Sequence, residues 1–195
     1  MNPIDIFIKQ MQAICPDITD EELSEFKSGI EVRHFKSKEH IFDSAKPQNQ
    51  IVYITSGLVR SFYIDNKGSE ISAYFVAEYD FVSDYPAFLN DAKSNYFFEA
   101  LENTTAVIIP KELILRAYET SFKFERFGRL IAEEAVQFLQ GRVESFLFKT
   151  ATERYLDFIK NHSDLFNRLS VEHIATYLGV ERQSLTRIRK KLNSQ

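Results

Sequence analysis

Near the end of this 195-residue chain, Arg182, Gln183, Thr186, Arg187 and Lys190 follow one another at steps of one and three residues. On a helix they share the side away from Leu185, Ile188 and Leu192. Their types suit the edges of a duplex. Arginine bonds guanine in a bidentate manner, glutamine does the same with adenine, and lysine neutralises phosphate. A merely solvated helix face mixes in carboxylates, yet after Glu181 no Asp or Glu follows. The pattern therefore predicts a surface that reads double-stranded DNA, with Ser184 among the residues it presents.

Two elements must position that surface. Ser170 is suited to cap a short helix whose buried face is Ile174, Ala175 and Leu178. Gly179 then ends it where a permissive backbone is needed, and a second helix starts three residues later. This is helix–turn–helix spacing, with the small Ala175 where the helices cross. Ser170, at the start of the module, is included among the expected DNA-contacting residues. Charge supports the assignment. The chain has formal net charge −4, but residues 168–195 carry six Lys/Arg against two Glu, while the remainder carries 18 against 26. An acidic body with a basic end points to a polyanionic partner for that end alone.

The bulk composition excludes several classes. Cys15 is the single cysteine, so neither an internal disulfide nor a cysteine-held iron–sulfur cluster can form. The first residues lack a basic-then-apolar leader, and no run of about 18 apolar residues could span a membrane. A cytoplasmic protein with no membrane partner is expected. Four histidines are scattered, of which His34 and His40 fall among the strands. No metal site, cofactor or enzymatic activity is expected of so few ligands.

Upstream, the first 30 or so residues have helical spacing, with a Thr19/Glu22 capping box. From about residue 31 to 110 the period becomes two. "IVYITSG" and "LVRSFYI" flank Gly57, "DNKG" at 65–68 turns into "SEISAYFV", and "FFEALENTTAVIIP" carries two more strands. Many short strands with polar turns predict an antiparallel barrel or sandwich. Helical spacing returns at Lys111, and 122–148 reads as one long helix whose apolar stripe is too wide for a single seam. A second copy is the simplest cover for the surplus, with Phe127, Ile131 and Phe138 as expected interface residues. Thr150 and Glu153 form a capping box that opens the next helix.

The stretch "LSVEHIATYLGVERQSLTRIRKKL" at 169–192, with the order of strand-rich domain, long helix and helix–turn–helix, resembles the Crp/Fnr family of bacterial transcription regulators. The resemblance covers essentially the whole chain. It implies an α+β protein: a jelly-roll-like, cyclic-nucleotide-binding-type β-roll over 1–120, a dimerisation helix over 121–149, and a winged-helix-like DNA-binding domain over 150–195. It implies base contacts at Arg182, Gln183 and Arg187, a homodimer on a pseudopalindromic operator, and RNA polymerase and a small-molecule effector as candidate partners. Only three residues follow Leu192, so the wing is expected to be minimal or absent.

Nucleotide-binding members carry a Gly-Glu pair and, further on, an Arg-Ser or Arg-Ala pair around the cyclic phosphate. The matching stretch here is "YDFVSDYPAFLNDAKSNYFFEAL", with Ser83-Asp84 and Ser94-Asn95 at those places and Tyr79 where another glycine is expected. Lys93 is the one cation in that stretch, among Asp80, Asp84 and Asp91. A pocket at Ser83, Asp84, Tyr85, Lys93, Ser94 and Asn95 is thus expected to reject cyclic AMP, which leaves the effector unidentified. The alternative is a small-molecule sensor or interaction protein with this fold and only secondary DNA binding.

Overall fold

The computed structural model describes residues 1–192; Asn193, Ser194 and Gln195, the last of the expected 150–195 module, lie outside the described residues. The chain forms two compact units. One joins Met1–Ser61 to Phe75–Glu133, and the other joins Phe62–Tyr74 to the chain from Glu134 onward.

In the first unit, α1 (Pro3–Ile14) and α2 (Asp20–Ser28) precede the strands. The Thr19/Glu22 capping box forms, with Glu22 N–H donating to Thr19 Oγ1. Strands β1 (Glu31–Phe35), β7 (Thr104–Pro110), β2 (Gln50–Ser56) and β5 (Phe81–Val82) make an antiparallel sheet in that order. The remaining strands, β3 (Val59–Ile64), β4 (Glu70–Val76) and β6 (Phe97–Ala100), form a second sheet ordered β4-β3-β6. Gly57, at φ 107°, carries the chain from β2 into β3, and a Cβ there would lie 2.3 Å from Thr104 Oγ1. The strands switch sheets at a position that excludes a side chain.

Helix α4 (Lys111–Thr120) and the start of α5 (Phe122–Phe148) close this core. Phe7 lies 4.9 Å from Tyr53, and Phe26 stacks on Phe124 at 5.1 Å. Phe127 is buried in the same cluster, and Ile131 packs against it. Of these two residues expected at a dimer interface, Phe127 is thus a core position within one chain, and Ile131 is half-buried against that core. They lie on the side of α5 that continues the Phe124 row, and the helical bundle α1–α2–α4 covers that row first. Beyond Ala132 the helix changes character: every residue from 133 to 141 is exposed.

The second unit holds the distal half of α5, then α6 (Ala151–Asn161), α7 (Ser163–Phe166), α8 (Val171–Tyr177) and α9 (Arg182–Leu192). Its core is Tyr155, Phe158, Ile174, Ala175 and Leu185, the last fully buried. Thr150 and Glu153 form the expected capping box on α6. Among the described residues, 150–192 contains helices and no strand, so no wing is present there.

Candidate functional site

The reading helix is set by three local devices. Ser170 Oγ accepts the His173 N–H at 3.1 Å and opens α8. Leu178 closes it, and Gly179, at φ 67°, makes the left-handed turn. The Val180 N–H donates to the Ala175 carbonyl and the Gly179 N–H to that of Thr176, a pair of bonds that completes the helix end. Substitution at Gly179 meets a second obstacle, since a Cβ would lie 2.7 Å from Phe146 Cε1. Leu185 is then driven into the angle between α8 and α9, which fixes the rotation of α9 about its axis.

With Leu185 inward, Arg182, Gln183, Thr186, Arg187 and Lys190 are all exposed. Ser184 is half-buried and accepts a long 3.4 Å bond from Arg187 Nη2. The Thr186 hydroxyl donates to the Arg182 carbonyl, so it follows the helix rather than projecting freely. Arg189 turns aside, its guanidinium 5.0 Å above the Phe166 ring, and serves packing. Ser170 acts as a helix cap, which uses its side-chain oxygen.

Two arginines that sequence reasoning missed knit this module to α5. Arg154 Nε donates to the Leu178 carbonyl and Nη1 to that of Lys149. Arg142 Nη2 donates to the Tyr177 carbonyl at 3.0 Å, and its guanidinium lies 3.7 Å above the Tyr177 ring. Both therefore place cations at helix C-termini, where carbonyls lack intrahelical partners. Burial lowers the Arg142 pKa and raises that of Tyr177. His162, beside them, is lowered by desolvation.

The stretch expected to hold an effector is closed on itself. Asp84 is buried and caps α3 (Tyr85–Leu89), accepting the Ala87 N–H at 3.3 Å. Its other carboxylate oxygen accepts the Ser94 hydroxyl at 2.7 Å, while its own N–H donates to Gln48 Oε1. Ser83 is half-buried, whereas Tyr85, Lys93 and Asn95 are exposed. Lys111 Nζ donates to the Phe88 carbonyl at 2.6 Å and to Asp91 at 2.7 Å, pinning the other end of α3. The Asp84-Tyr85-Pro86 sequence is a helix-start signal that could have revealed the cap. A cavity of about 300 Å³ opens nearby, lined by Arg33, Lys46, Gln48, Ser94 and Tyr96 among others. Ser94 is the one expected pocket residue that borders it.

The exposed half of α5 carries Val136, Leu139, Val143 and Leu147, exposed by 54–69%. Their four- and three-residue spacing is a single stripe. Phe138 lies on a different side, with its ring 6.4 Å from that of Tyr74. No helix among the described residues is long and apolar enough to cross a membrane, and no metal-ligating cluster occurs among them.

Residues 32–121 match the cyclic nucleotide-binding domain family. No curated protein sequence matches the chain. Among solved structures, FixK2 from Bradyrhizobium japonicum superposes with a TM-score of 0.74 at 17% identity over 85% of each chain. A protein described as a transcriptional regulator of the Crp/Fnr family from Eubacterium rectale gives 0.72 at 17% identity, over 92% of this chain and 85% of that one. CLP, a c-di-GMP-responsive global regulator from Xanthomonas campestris, gives 0.71 at 17% identity over 90% and 92%. The chain thus has the fold of Crp/Fnr regulators, with a cyclic-nucleotide-binding-type β-roll and a C-terminal helix–turn–helix.

Proposed function

We propose that this chain, with its cyclic nucleotide-binding domain at 32–121 and its Crp/Fnr regulator fold, is a cytoplasmic, non-enzymatic, DNA-binding transcription regulator. The observation that carries the reading is α9. It exposes Arg182, Gln183, Thr186, Arg187 and Lys190 together, with Leu185 buried behind them and no carboxylate in 182–192. Arg182, Gln183 and Arg187 read base edges, and Lys190 holds phosphate. Residues 1–120 serve as the sensor roll, 121–149 as the dimerisation helix and 150–195 as the reader.

The chain acts as a homodimer on a pseudopalindrome, its two reading helices about 34 Å apart in successive major grooves. The interface is the stripe Val136, Leu139, Val143 and Leu147, whose exposure supports this reading. The roll takes no cyclic nucleotide. Asp84, a buried carboxylate already bonded to Ala87 and Ser94, stands at one of the positions matched to the phosphate-binding pairs, and no arginine stands at any of them. An effector, if one is used, has other chemistry.

Titration against duplex DNA tests this. Affinity should fall steeply with salt. Arg187→Ala should cost about 1–3 kcal/mol and relax one base pair per half-site, whereas Lys190→Ala should weaken all sequences alike and lower the salt slope by roughly one. Salt-independent or absent DNA binding would favour the alternative, a sensor that acts chiefly through the cavity beside Ser94.

A further inference from the structure

The β3–β4 hairpin belongs to the roll by sequence, yet Phe62–Tyr74 clusters with the helices of the second unit. The contacts responsible are specific. Thr176, on α8, accepts the Ser72 N–H at 3.3 Å through Oγ1, and the same hydroxyl lies 2.9 Å from Ser72 Oγ. Ser72 is 3% exposed and Thr176 is half-buried, so the pair is largely shielded from water. Arg142 bridges the same two elements: Nη2 reaches the Ala73 carbonyl at 3.4 Å and the Tyr177 carbonyl at 3.0 Å. Tyr74 meets Phe138 edge-on. β4 stands at the edge of its sheet, and a strand edge normally offers open backbone groups. Here side chains of α5 and α8 occupy two of them.

Resting on the DNA-reading function above, we propose that this hairpin is a clamp that holds the helix–turn–helix in its reading position, with Thr176 and Arg142 as positioning residues. α8 carries Leu178, Gly179 and hence α9, so a group that fixes α8 also fixes the readers. Without the clamp the reader keeps the covalent chain, the Arg154 bonds to Leu178 and Lys149, and the packing of Phe146 on the Gly179 turn and of Phe158 on Tyr177. A reader that samples several positions binds an operator with an affinity reduced by the fraction in the competent one. The clamp thereby sets that fraction. Anything that displaces 62–74 lowers operator affinity while touching no DNA-contacting residue.

The test uses the full chain with Thr176→Val and Thr176→Ser. Valine keeps the shape and removes both contacts with Ser72 together with the bond that the hydroxyl donates to the His173 carbonyl within α8; serine restores the hydroxyl. Thr176→Val should weaken operator binding about tenfold, leave affinity for random-sequence duplex and the salt slope unchanged, and raise amide exchange in both 62–74 and 171–177. Thr176→Ser should return all three to native values. Arg142→Gln gives a second perturbation of the same clamp and should act in the same direction. Operator affinity within twofold of native for both Thr176→Val and Arg142→Gln overturns the clamp, as does tighter binding. If the native chain binds no DNA, the functional reading fails by itself. Exchange without DNA then still decides the clamp: protection in 62–74 that ignores Thr176→Val refutes it.

Discussion

On the proposed homodimer, with Leu139 in its interface, Leu139→Ala should weaken dimerisation by roughly 30- to 150-fold. Fully burying a leucine contributes about 1.5–3 kcal/mol, and Leu139 leaves 54% of its surface exposed within one chain. Covering that remainder stabilises by about 1–1.5 kcal/mol per copy. A two-fold interface contains the residue twice, so the alanine variant loses about 2–3 kcal/mol per dimer, and each 1.4 kcal/mol is tenfold in the equilibrium constant. Two controls lie on other sides of the same helix. Phe138→Ala removes a ring that faces Tyr74 and should leave the dimer constant unchanged. Gly141→Ala introduces a methyl with nothing within 4 Å, and should stabilise the helix by about 1 kcal/mol without affecting association. Sedimentation equilibrium over a range of concentrations measures all three. The reasoning fails if Leu139→Ala associates like the native chain, or if Phe138→Ala is the variant that comes apart.

Calorimetric titration with cyclic AMP and cyclic GMP should show no binding in the micromolar range; clear heats would mean that Asp84 swings out of its cap. Tyr79 adopts φ 71°, a left-handed conformation that costs a side-chain-bearing residue about 1–2 kcal/mol. After glycine's own entropic cost, Tyr79→Gly should stabilise the chain by roughly 0.5–1 kcal/mol in urea unfolding, and Tyr79→Ala should give no such gain. Glu22 is held at a pKa of about 2 by the Thr19 N–H first, then by Lys123 and Ser121. Because its folded pKa lies below the ordinary 4.5, its stabilisation is complete above that value and is lost as the pH falls towards 2. Glu22→Gln should flatten the acid limb of the stability curve over that window, and an unchanged limb would show that other carboxylates govern it.

Features governed by neighbours in sequence are legible in the amino-acid sequence alone. The Thr19/Glu22 and Thr150/Glu153 boxes and the Gly179 turn depend on residues close in sequence, and the buried side of α9 at Leu185 follows from its helical period. What escaped depends on contacts between distant residues. A broad apolar stripe on α5 signals two partners, but periodicity cannot say which side goes to which. Phe127 went to the core of its own unit because α1, α2 and α4 fold onto it. Asp84 read as an obstacle to phosphate; it caps α3 through the Ala87 N–H and also accepts the hydroxyl of Ser94, ten residues away, a contact that spacing does not announce. Ser72 and Thr176 are 104 residues apart, and neither type signals a partner. Lys111 likewise gave no local sign that it would reach back to Phe88 and Asp91.

The two working sides of α5 are offset by one residue. Leu139, Val143 and Leu147 face outward, while Phe138, Arg142 and Phe146 face Tyr74, Tyr177 and the Gly179 turn. At about 100° per residue, one rigid rod carries both surfaces a quarter-turn apart. On the proposed function the rod behaves as a camshaft, since rolling one surface must roll the other. A roll of about 20° is the drift of an ideal helix against a heptad seam. Acting through two layers of packed helices, at about 8–10 Å per layer, it displaces the reading face by roughly 5–7 Å. That is one and a half to two base-pair steps at about 3.4 Å each. Repacking a partner-facing valine or leucine can therefore change which half-site spacing the dimer accepts, with every base-contacting side chain left in place.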